Sequence, residues 1–281
     1  MKTIYDVPAP AKLNLFLHVT GRRADGYHQL QSAFALIDWC DRLHFDLRPD
    51  RSISREDLRI PLPENDLIIQ AARALQAASG TALGVHIGVE KSIPAQAGLG
   101  GGSSDAASTL LVLNRLWNLG LPLHRLTEIG LRLGADVPFF LAGRNAWVEG
   151  IGELMTPLTL DIGTFLVVKP PAGLGTENIF SDPSLKRDSS VAIISGFAAN
   201  PWGFGCNDLQ AVAQRHCPGV SQALKWLAAQ GLDGRMTGSG SAVFAWAPRK
   251  FALNPAPAGF DVRWCSGLDV HPLSGWARAM V

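Results

Sequence analysis

The chain has 281 residues, of which 47% are hydrophobic and 17% are charged, and its formal net charge is +1. This length fits one large domain or two ordinary ones. The near-zero charge argues against partners bound by bulk electrostatics, so we expect neither nucleic acid nor a membrane surface as a partner. The 4 cysteines lack C-x-x-C spacing, which predicts free thiols rather than a zinc site or a disulfide framework.

The amino-terminal segment does not have the pattern of a signal peptide, because Pro8, Pro10, Lys12 and Asn14 interrupt the apolar residues. The sequence also has no uninterrupted apolar run of about 18 residues, the length that a membrane-spanning helix needs. We therefore expect a cytoplasmic protein.

The first predicted elements are two strands and a helix. Polar and apolar residues alternate over 11–20, which predicts a strand with one buried face, and a turn over 21–28 leads to more strand over 30–48. Apolar residues at helical spacing predict a helix over 67–78, and Gly80 stands where a C-terminal cap belongs.

A glycine-rich run at 94–107 follows a predicted strand at 85–90 and leads into an apolar-periodic helix. Glycine lets the backbone fold closely around a ligand, and a helix N-terminus adds free N–H groups, so the run predicts a phosphate site. A P-loop is excluded because the chain has no Gly-Lys pair. A dinucleotide fingerprint is also excluded. Counted from Gly98 it needs glycine or alanine where Ser103 stands, and counted from Gly100 it needs one where Asp105 stands. A flexible linker is the remaining alternative.

The remaining elements give the fold class. A helix follows the glycine run and ends at Gly120 and Pro122, and a second helix covers 123–133 and stops at Gly134. Strands follow near 145–149 and 164–169, and a helical region begins at about Asn207. Strands and helices mix without regular βαβ units, which favours an α+β fold. A composition shift over 155–163 predicts two domains, 1–158 and 159–281.

Two further short stretches carry candidate chemistry. Asp136 lies between a glycine that ends a helix and a proline-fixed apolar segment, so it is either a helix cap or a positioned general base. Residues 237–241, Thr-Gly-Ser-Gly-Ser, precede an apolar run. They are either an anion-binding loop or a hairpin turn.

Taken together, Lys12 within residues 10–14, the run at 94–107 and the Gly-Ser-Gly-Ser of 238–241 resemble the three signatures of the GHMP small-molecule kinases. The resemblance implies a two-lobed α+β fold, with an amino-terminal lobe like ribosomal protein S5 domain 2 and a ferredoxin-like carboxy-terminal lobe. It also implies ATP and Mg²⁺ as cofactors, a small-molecule substrate, and a monomer or weak homodimer.

Roles for individual residues follow from the resemblance. Asp136 is implied to be the general base, with Lys12 beside it keeping the carboxylate ionised and stabilising charge on the phosphoryl group, as phosphoryl transfer requires. A solvent-facing Lys12 is the alternative. The implied nucleotide contacts are Lys91, Pro94, Ala95, Gln96, Ala97, Gly98, Leu99, Gly100, Gly101, Gly102, Ser103, Ser104, Gly238, Ser239 and Gly240.

Within the family, Gly26-Tyr27-His28 and the segment 134–140 resemble members that phosphorylate a cytidyl diphosphate polyol. Tyr27 and Phe180 are then implied to sandwich the cytosine, and His28 to hydrogen-bond to its edge. Asn14 is implied to contact the polyol or to order the general base. Without the resemblance, Tyr27 is a surface aromatic residue and His28 a solvated imidazole.

Magnesium is implied near Ser103 or Ser104, without a dedicated protein cage, because Mg²⁺ keeps much of its water. The segment Asn65-Asp66-Leu67 departs from the family's Asn-Leu order, which leaves the adenine contacts open. Two other functions stay in play: a GHMP kinase of the homoserine or mevalonate type, and a nucleotide sensor without turnover. The presence of both Lys12 and Asp136 argues against the sensor.

Overall fold

The computed structural model describes residues 2–161 and 163–277. Its longest feature is an antiparallel hairpin of β1 (Thr3–Arg22) and β2 (His28–Arg48). Residues 9–17 of β1 are buried on both faces, so the prediction of one buried face is wrong for this strand. Its second face is covered by the glycine-rich run and by the carboxy-terminal half of the chain, which bring polar side chains of β1 into the interior.

Four more strands and four helices complete the amino-terminal half. They are β3 (Ile53–Asp57), α1 (Leu67–Ser79), β4 (Gly84–Glu90), α2 (Gly101–Leu116), α3 (Leu123–Leu133), α4 (Val137–Ala142), β5 (Ala146–Gly150) and β6 (Leu154–Pro157). Strands β4 and β5 both pair with β2, β3 runs parallel to β4, and β6 pairs with β5. One apolar core joins Leu75 of α1, Leu110 of α2 and Phe140 of α4 to Phe45 of β2.

The carboxy-terminal half contributes four antiparallel strands and its own helices. Its elements are β7 (Thr164–Lys169), α5 (Thr176–Ser181), α6 (Ile194–Ala199), α7 (Gln210–His216), α8 (Pro218–Ala229), β8 (Gly234–Met236), β9 (Val243–Ala247) and β10 (Asp261–Leu268). The end of β10 pairs with β2 at Gly267–Ile37 and Leu268–Leu36, so ten strands form one continuous sheet. The predicted α+β class is confirmed.

The two halves also share part of their core. One buried cluster contains Leu13 and Trp39 from the amino-terminal half together with Phe165 and Phe244 from the other half. The domain boundary predicted between 158 and 159 falls between β6 and β7, and it stays a prediction. Because the cluster spans both halves, the first strand is held rigidly against the second half of the chain.

The helix predictions differ from the structure mainly at the glycine-rich run. Helix α1 ends at Gly80, which adopts a left-handed φ of 68°, as predicted. Helix α2, however, begins at Gly101 inside the run rather than after it, because Gly100 already acts as its N-cap with a φ of 72°. Helix α4 was not predicted, since it has only 6 residues.

Within the described part of the chain, no helix has the length and apolar character that crossing a membrane requires.

Candidate active site

A cleft of about 870 Å³ lies between the two halves of the molecule. Its lining includes the glycine-rich run, the loop at 238–240 and the segment 174–176. Lys12, Asn14 and Asp136 also line this cleft. The glycine run, the second glycine loop and the paired Lys and Asp therefore meet at one place, although they are far apart in the sequence.

The central pair of the cleft is Lys12 and Asp136. Lys12 is 4% exposed, and its Nζ lies 3.5 Å from Asp136 Oδ2. The same Nζ donates to Asn14 Oδ1 at 2.5 Å and lies 4.6 Å from the centre of the Phe34 ring. This burial excludes a solvent-facing Lys12 and fixes a cation beside a carboxylate that is still 30% exposed.

Asp136 occupies the N-cap position of helix α4, but its side chain makes no capping hydrogen bond. The cap interpretation therefore accounts for its place in the chain and not for its carboxylate. Its carboxylate is paired with Lys12 and is still 30% exposed, so it can also contact a ligand in the cleft.

The glycine-rich run folds tightly against β1 and the second glycine loop. Gly98 has a φ of 74°, and a Cβ there would lie 2.2 Å from the carbonyl oxygen of Thr237. Gly100 has a φ of 72°, and a Cβ there would lie 3.0 Å from the ring of Phe140. The backbone N–H of Lys12 donates to Leu99 O at 3.0 Å, which ties the run to β1. Glycine is required at both positions because no side chain fits.

The loop at 238–240 joins β8 to β9, so the hairpin-turn interpretation is confirmed. The loop nevertheless packs directly against the first glycine run and lines the same cleft. Ser241 N donates to Gln96 O at 3.2 Å and Ala242 N donates to Ala97 O at 3.1 Å. Thr237 Oγ1 accepts from Asn14 N at 2.8 Å. These hydrogen bonds hold both loops and β1 in one fixed arrangement.

The two serines of the run occupy different environments. Ser103 lines the cleft, whereas Ser104 is fully buried behind it. Both lie in the first turn of α2, whose free N–H groups and positive dipole end face the same cleft. The cleft can therefore hold an anion with backbone N–H groups and with the hydroxyl of Ser103.

Lys91, a predicted nucleotide contact, lines the cleft and also forms a buried ion network. Its Nζ binds the carboxylate of Asp41 and lies 2.6 Å from Asp105 Oδ2. Asp41 Oδ1 also accepts from the backbone N–H groups of Ser92 at 2.5 Å and Ile93 at 2.8 Å. Burial raises the pKa of Asp105, and the attraction of the Lys91 ammonium acts against this rise. The network fixes both ends of the glycine-rich run, and sequence reasoning missed both aspartates.

The predicted substrate residues lie at the far end of the long hairpin. His28 and Phe180 have ring centres 5.0 Å apart, and Tyr27 next to them is 62% exposed. Arg187, which sequence reasoning missed, donates from Nε to His28 Nε2 at 3.0 Å. Burial lowers the pKa of His28, and the charges of Arg187 and Arg22 lower it further.

The inserted Asp66 has a structural role. Its carboxylate accepts from Ile69 N at 3.1 Å as the N-cap of α1, and it pairs with Arg55 Nη1 at 2.6 Å. Asn65 and Leu67 on either side line the cleft. The departure from the family order thus caps a helix and leaves its neighbours facing the cleft.

Comparison with protein families agrees with this geometry. The model "GHMP kinases N terminal domain" matches residues 66–144, and "GHMP kinases C terminal" matches residues 193–256. A solved mevalonate kinase, 12% identical, aligns with a TM-score of 0.64 over 94% of this chain and 98% of its own, which shows a shared fold. Fold and site together define a small-molecule kinase of the GHMP class, with the two-lobed architecture that the resemblance implies.

Closer relatives narrow the class. A protein named 4-diphosphocytidyl-2-C-methyl-D-erythritol kinase from Albidiferax ferrireducens is 71% identical over 99% of this chain and 96% of its own length. One of the same name from Variovorax paradoxus is 62% identical over 99% of this chain and 100% of its own. A crystal structure titled 4-(cytidine 5'-diphospho)-2C-methyl-D-erythritol kinase is 32% identical, with a TM-score of 0.75 over 93% and 99%. The chain belongs to the family of 4-diphosphocytidyl-2-C-methyl-D-erythritol kinases.

Proposed function

We propose that the protein transfers the γ-phosphoryl group of ATP to the 2-hydroxyl of 4-diphosphocytidyl-2-C-methyl-D-erythritol, giving the 2-phosphate and ADP for isoprenoid precursor synthesis. One observation carries the proposal: a buried lysine 3.5 Å from a free carboxylate, at the mouth of a glycine-walled cleft. The names of the relatives support the substrate.

The reaction uses the two sides of the cleft for different purposes. The N–H groups of 96–104 and the start of α2 hold the triphosphate so that its terminal group faces Asp136. Asp136 takes the proton from the attacking hydroxyl, whose oxygen bonds to phosphorus as the bond to the ADP oxygen breaks. Lys12 stabilises the charge that spreads over the transferred group. Its burial makes this attraction stronger than it would be in water.

Asn14 orders the lysine rather than the base. Its Oδ1 accepts from Lys12 Nζ, and its Nδ2 donates to Ser32 Oγ at 2.9 Å. Because Ser32 Oγ in turn donates to Phe16 O at 2.5 Å, a chain of hydrogen bonds runs from the catalytic cation to the backbone of β1. We assign Asn14 to positioning Lys12 at the wall of the cleft in which the polyol would bind.

The pyrimidine end is assigned to the residues around the hairpin turn. Tyr27 and Phe180 offer aromatic faces on which a base can stack, and stacking on such faces is favourable for any base. His28 lies against Phe180 and can hydrogen-bond to the base edge. Tyr27 is 62% exposed, so its ring is open to a ligand.

The residues present also fit a magnesium ion. Mg²⁺ prefers oxygen ligands and is usually bound by one or two carboxylates together with phosphates and water. In the described part of the chain, Asp105 Oδ1 is buried without a hydrogen-bond partner, and Asp105 and Ser103 both line the cleft. These two oxygen donors would hold the ion, which would neutralise charge on the β- and γ-phosphates. Among the described residues, no group of three or more acidic, histidine or cysteine side chains is placed so that it could hold a metal ion.

A substrate panel tests the proposed function. Purified protein is supplied with Mg-ATP and, separately, the cytidyl diphosphate polyol, homoserine or mevalonate, and ADP release and product mass are measured. We expect turnover with the cytidyl substrate alone. Faster turnover with homoserine or mevalonate, or no turnover with any acceptor, would overturn the proposal. The cytoplasmic location, the monomeric or weakly dimeric state and the absence of nucleic-acid partners stay predictions of the sequence.

A further inference from the structure

Arg187 lies in the polar segment after α5 and makes four hydrogen bonds with its side chain. Its Nε donates to His28 Nε2 at 3.0 Å, and Nη1 donates to Leu185 O at 2.9 Å. Its Nη2 donates to Phe180 O at 3.0 Å and to Asp182 O at 2.9 Å. The guanidinium therefore connects the predicted histidine and the predicted aromatic residue of the pyrimidine end.

The contact with His28 fixes the position of a proton. A guanidinium is always charged and has only N–H donors, so the atom facing Arg187 Nε must be an acceptor. His28 Nε2 is then unprotonated, and the neutral ring carries its hydrogen on Nδ1. His28 thus offers a single N–H donor in a fixed direction.

The contacts with carbonyl groups fix the aromatic side. Helix α5 has only 6 residues and ends at Ser181, so its last turn has little support of its own. Arg187 Nη2 binds the carbonyl groups of Phe180 and Asp182, on both sides of that helix end. The same guanidinium therefore links the backbone of Phe180 to the His28 ring, and the centres of the two rings lie 5.0 Å apart.

We propose that Arg187 is a positioning residue for base recognition: it holds His28 as the Nδ1–H donor and fixes Phe180 beside it, so that the site accepts cytosine and discriminates against uracil. The proposal rests on the proposed function and deepens it. Cytosine presents an acceptor at N3, which an Nδ1–H donor can bind. Uracil presents N3–H at the same position, and two donors cannot pair.

Kinetics with paired substrates test this role. In Arg187→Gln we expect the KM for the cytidyl substrate to rise by about tenfold or more, since a hydrogen bond involving a charged group is lost. The preference for the cytidyl substrate over its uridyl analogue should fall by a similar factor. The kcat at saturation and the KM for ATP should stay within about twofold, because the phosphate end is not touched.

Arg215→Gln is the matched control. Arg215 binds the same segment through Asp182 Oδ1 at 3.5 Å and Ser184 Oγ, but it has no contact with His28 among the described residues. It should leave both KM values and the base preference unchanged. Equal effects of the two substitutions would reduce Arg187 to a structural support of the segment and overturn the proposal. An unchanged base preference in Arg187→Gln would also overturn it.

A second measurement keeps the proposal testable if Arg187→Gln fails to fold. Nitrogen NMR of histidine-labelled wild-type protein, assigned with His28→Gln, reports which ring nitrogen carries the proton. We expect a protonated Nδ1 and a bare Nε2 for His28. A protonated Nε2 would contradict the proposal, whereas the substrate panel on the wild type tests the proposed function separately.

Discussion

The long hairpin of β1 and β2 carries residues proposed for both ends of the substrate site, and these two regions are built differently. Lys12 and Asn14 lie in the middle of β1 and are 4% and 2% exposed, with the second glycine loop packed over them. Tyr27, next to the turn of the same hairpin, is 62% exposed. The proposed catalytic residues are thus held by a core shared between the two halves, and the proposed base-binding residues by Arg187. Substitutions at the two ends should therefore change different kinetic constants.

The largest effect is expected at the phosphoryl end, from Asp136→Asn. The amide keeps the shape of the side chain but cannot take a proton, so kcat should fall by at least about a hundredfold, the lower range for a general base. Nucleotide binding should be largely kept. Steady-state kinetics and calorimetry with a non-hydrolysable ATP analogue measure the two properties. An unchanged kcat would remove Asp136 from the mechanism.

Lys91→Met should lower the free energy of unfolding by about 3–5 kcal/mol, because it leaves the carboxylates of Asp41 and Asp105 buried without their cation. Denaturant unfolding measures the loss. Arg125→Met is the control, since its partner Glu128 is 53% exposed and such pairs contribute about 0–1 kcal/mol. Equal losses in the two variants would show that the buried network does not hold the glycine-rich run.

The part of the site formed by local sequence was predictable. The spacing of glycines showed where side chains cannot fit, and the structure gives Gly98 and Gly100 positive φ angles. Helix α3 spans 123–133 as predicted, because Pro122 and Gly134 mark its two ends. Such signals depend on the preferences of single residues and on periodicity, which a sequence displays directly.

The residues that were missed depend on distant contacts. Asp41 lies inside the predicted strand over 30–48, and an acidic residue in a strand was an available signal. The structure shows that its carboxylate is buried, which requires a partner. Asp105 stood in the run as an argument against a dinucleotide motif, and its partner Lys91 is 14 residues away. Arg187 gave no signal, because its partner His28 lies 159 residues away and the segment around it has no periodicity. Tertiary pairing decides these roles, and spacing does not reveal it.

The variants Gly98→Ala and Gly80→Ala separate two effects of an added Cβ, namely the strain of a left-handed backbone and a clash with neighbouring atoms. The two glycines have similar φ angles, 74° and 68°, but a Cβ at Gly98 would meet Thr237 O at 2.2 Å, whereas a Cβ at Gly80 meets nothing within 4 Å. Gly80→Ala should cost about 1–2 kcal/mol of stability and leave the KM for ATP unchanged. Gly98→Ala should raise that KM about tenfold or more, equivalent to about 1.4 kcal/mol. Equal KM values for the two variants would place the phosphates elsewhere.

The smallest expected effect is a pH dependence at the pyrimidine end. Burial and the charges of Arg187 and Arg22, from the segment after α5 and from β1, hold the pKa of His28 below its ordinary value of 6.5. The neutral ring accepts from Arg187, so protonation should weaken binding as pH falls through the lowered pKa, and binding should be level above about pH 6.5.

Calorimetry of the cytidyl substrate without nucleotide measures this dependence free of ATP titration. Between about pH 7.5 and 5.5 the wild-type affinity should fall by no more than about tenfold, since each pH unit below a pKa costs at most a factor of ten. In Arg187→Gln the pKa of His28 should rise, because a neighbouring positive charge is removed, and the fall should begin at a higher pH. Identical profiles for the two proteins would mean that Arg187 does not act through His28. In that case Arg187 would contribute to substrate binding only through the position of Phe180.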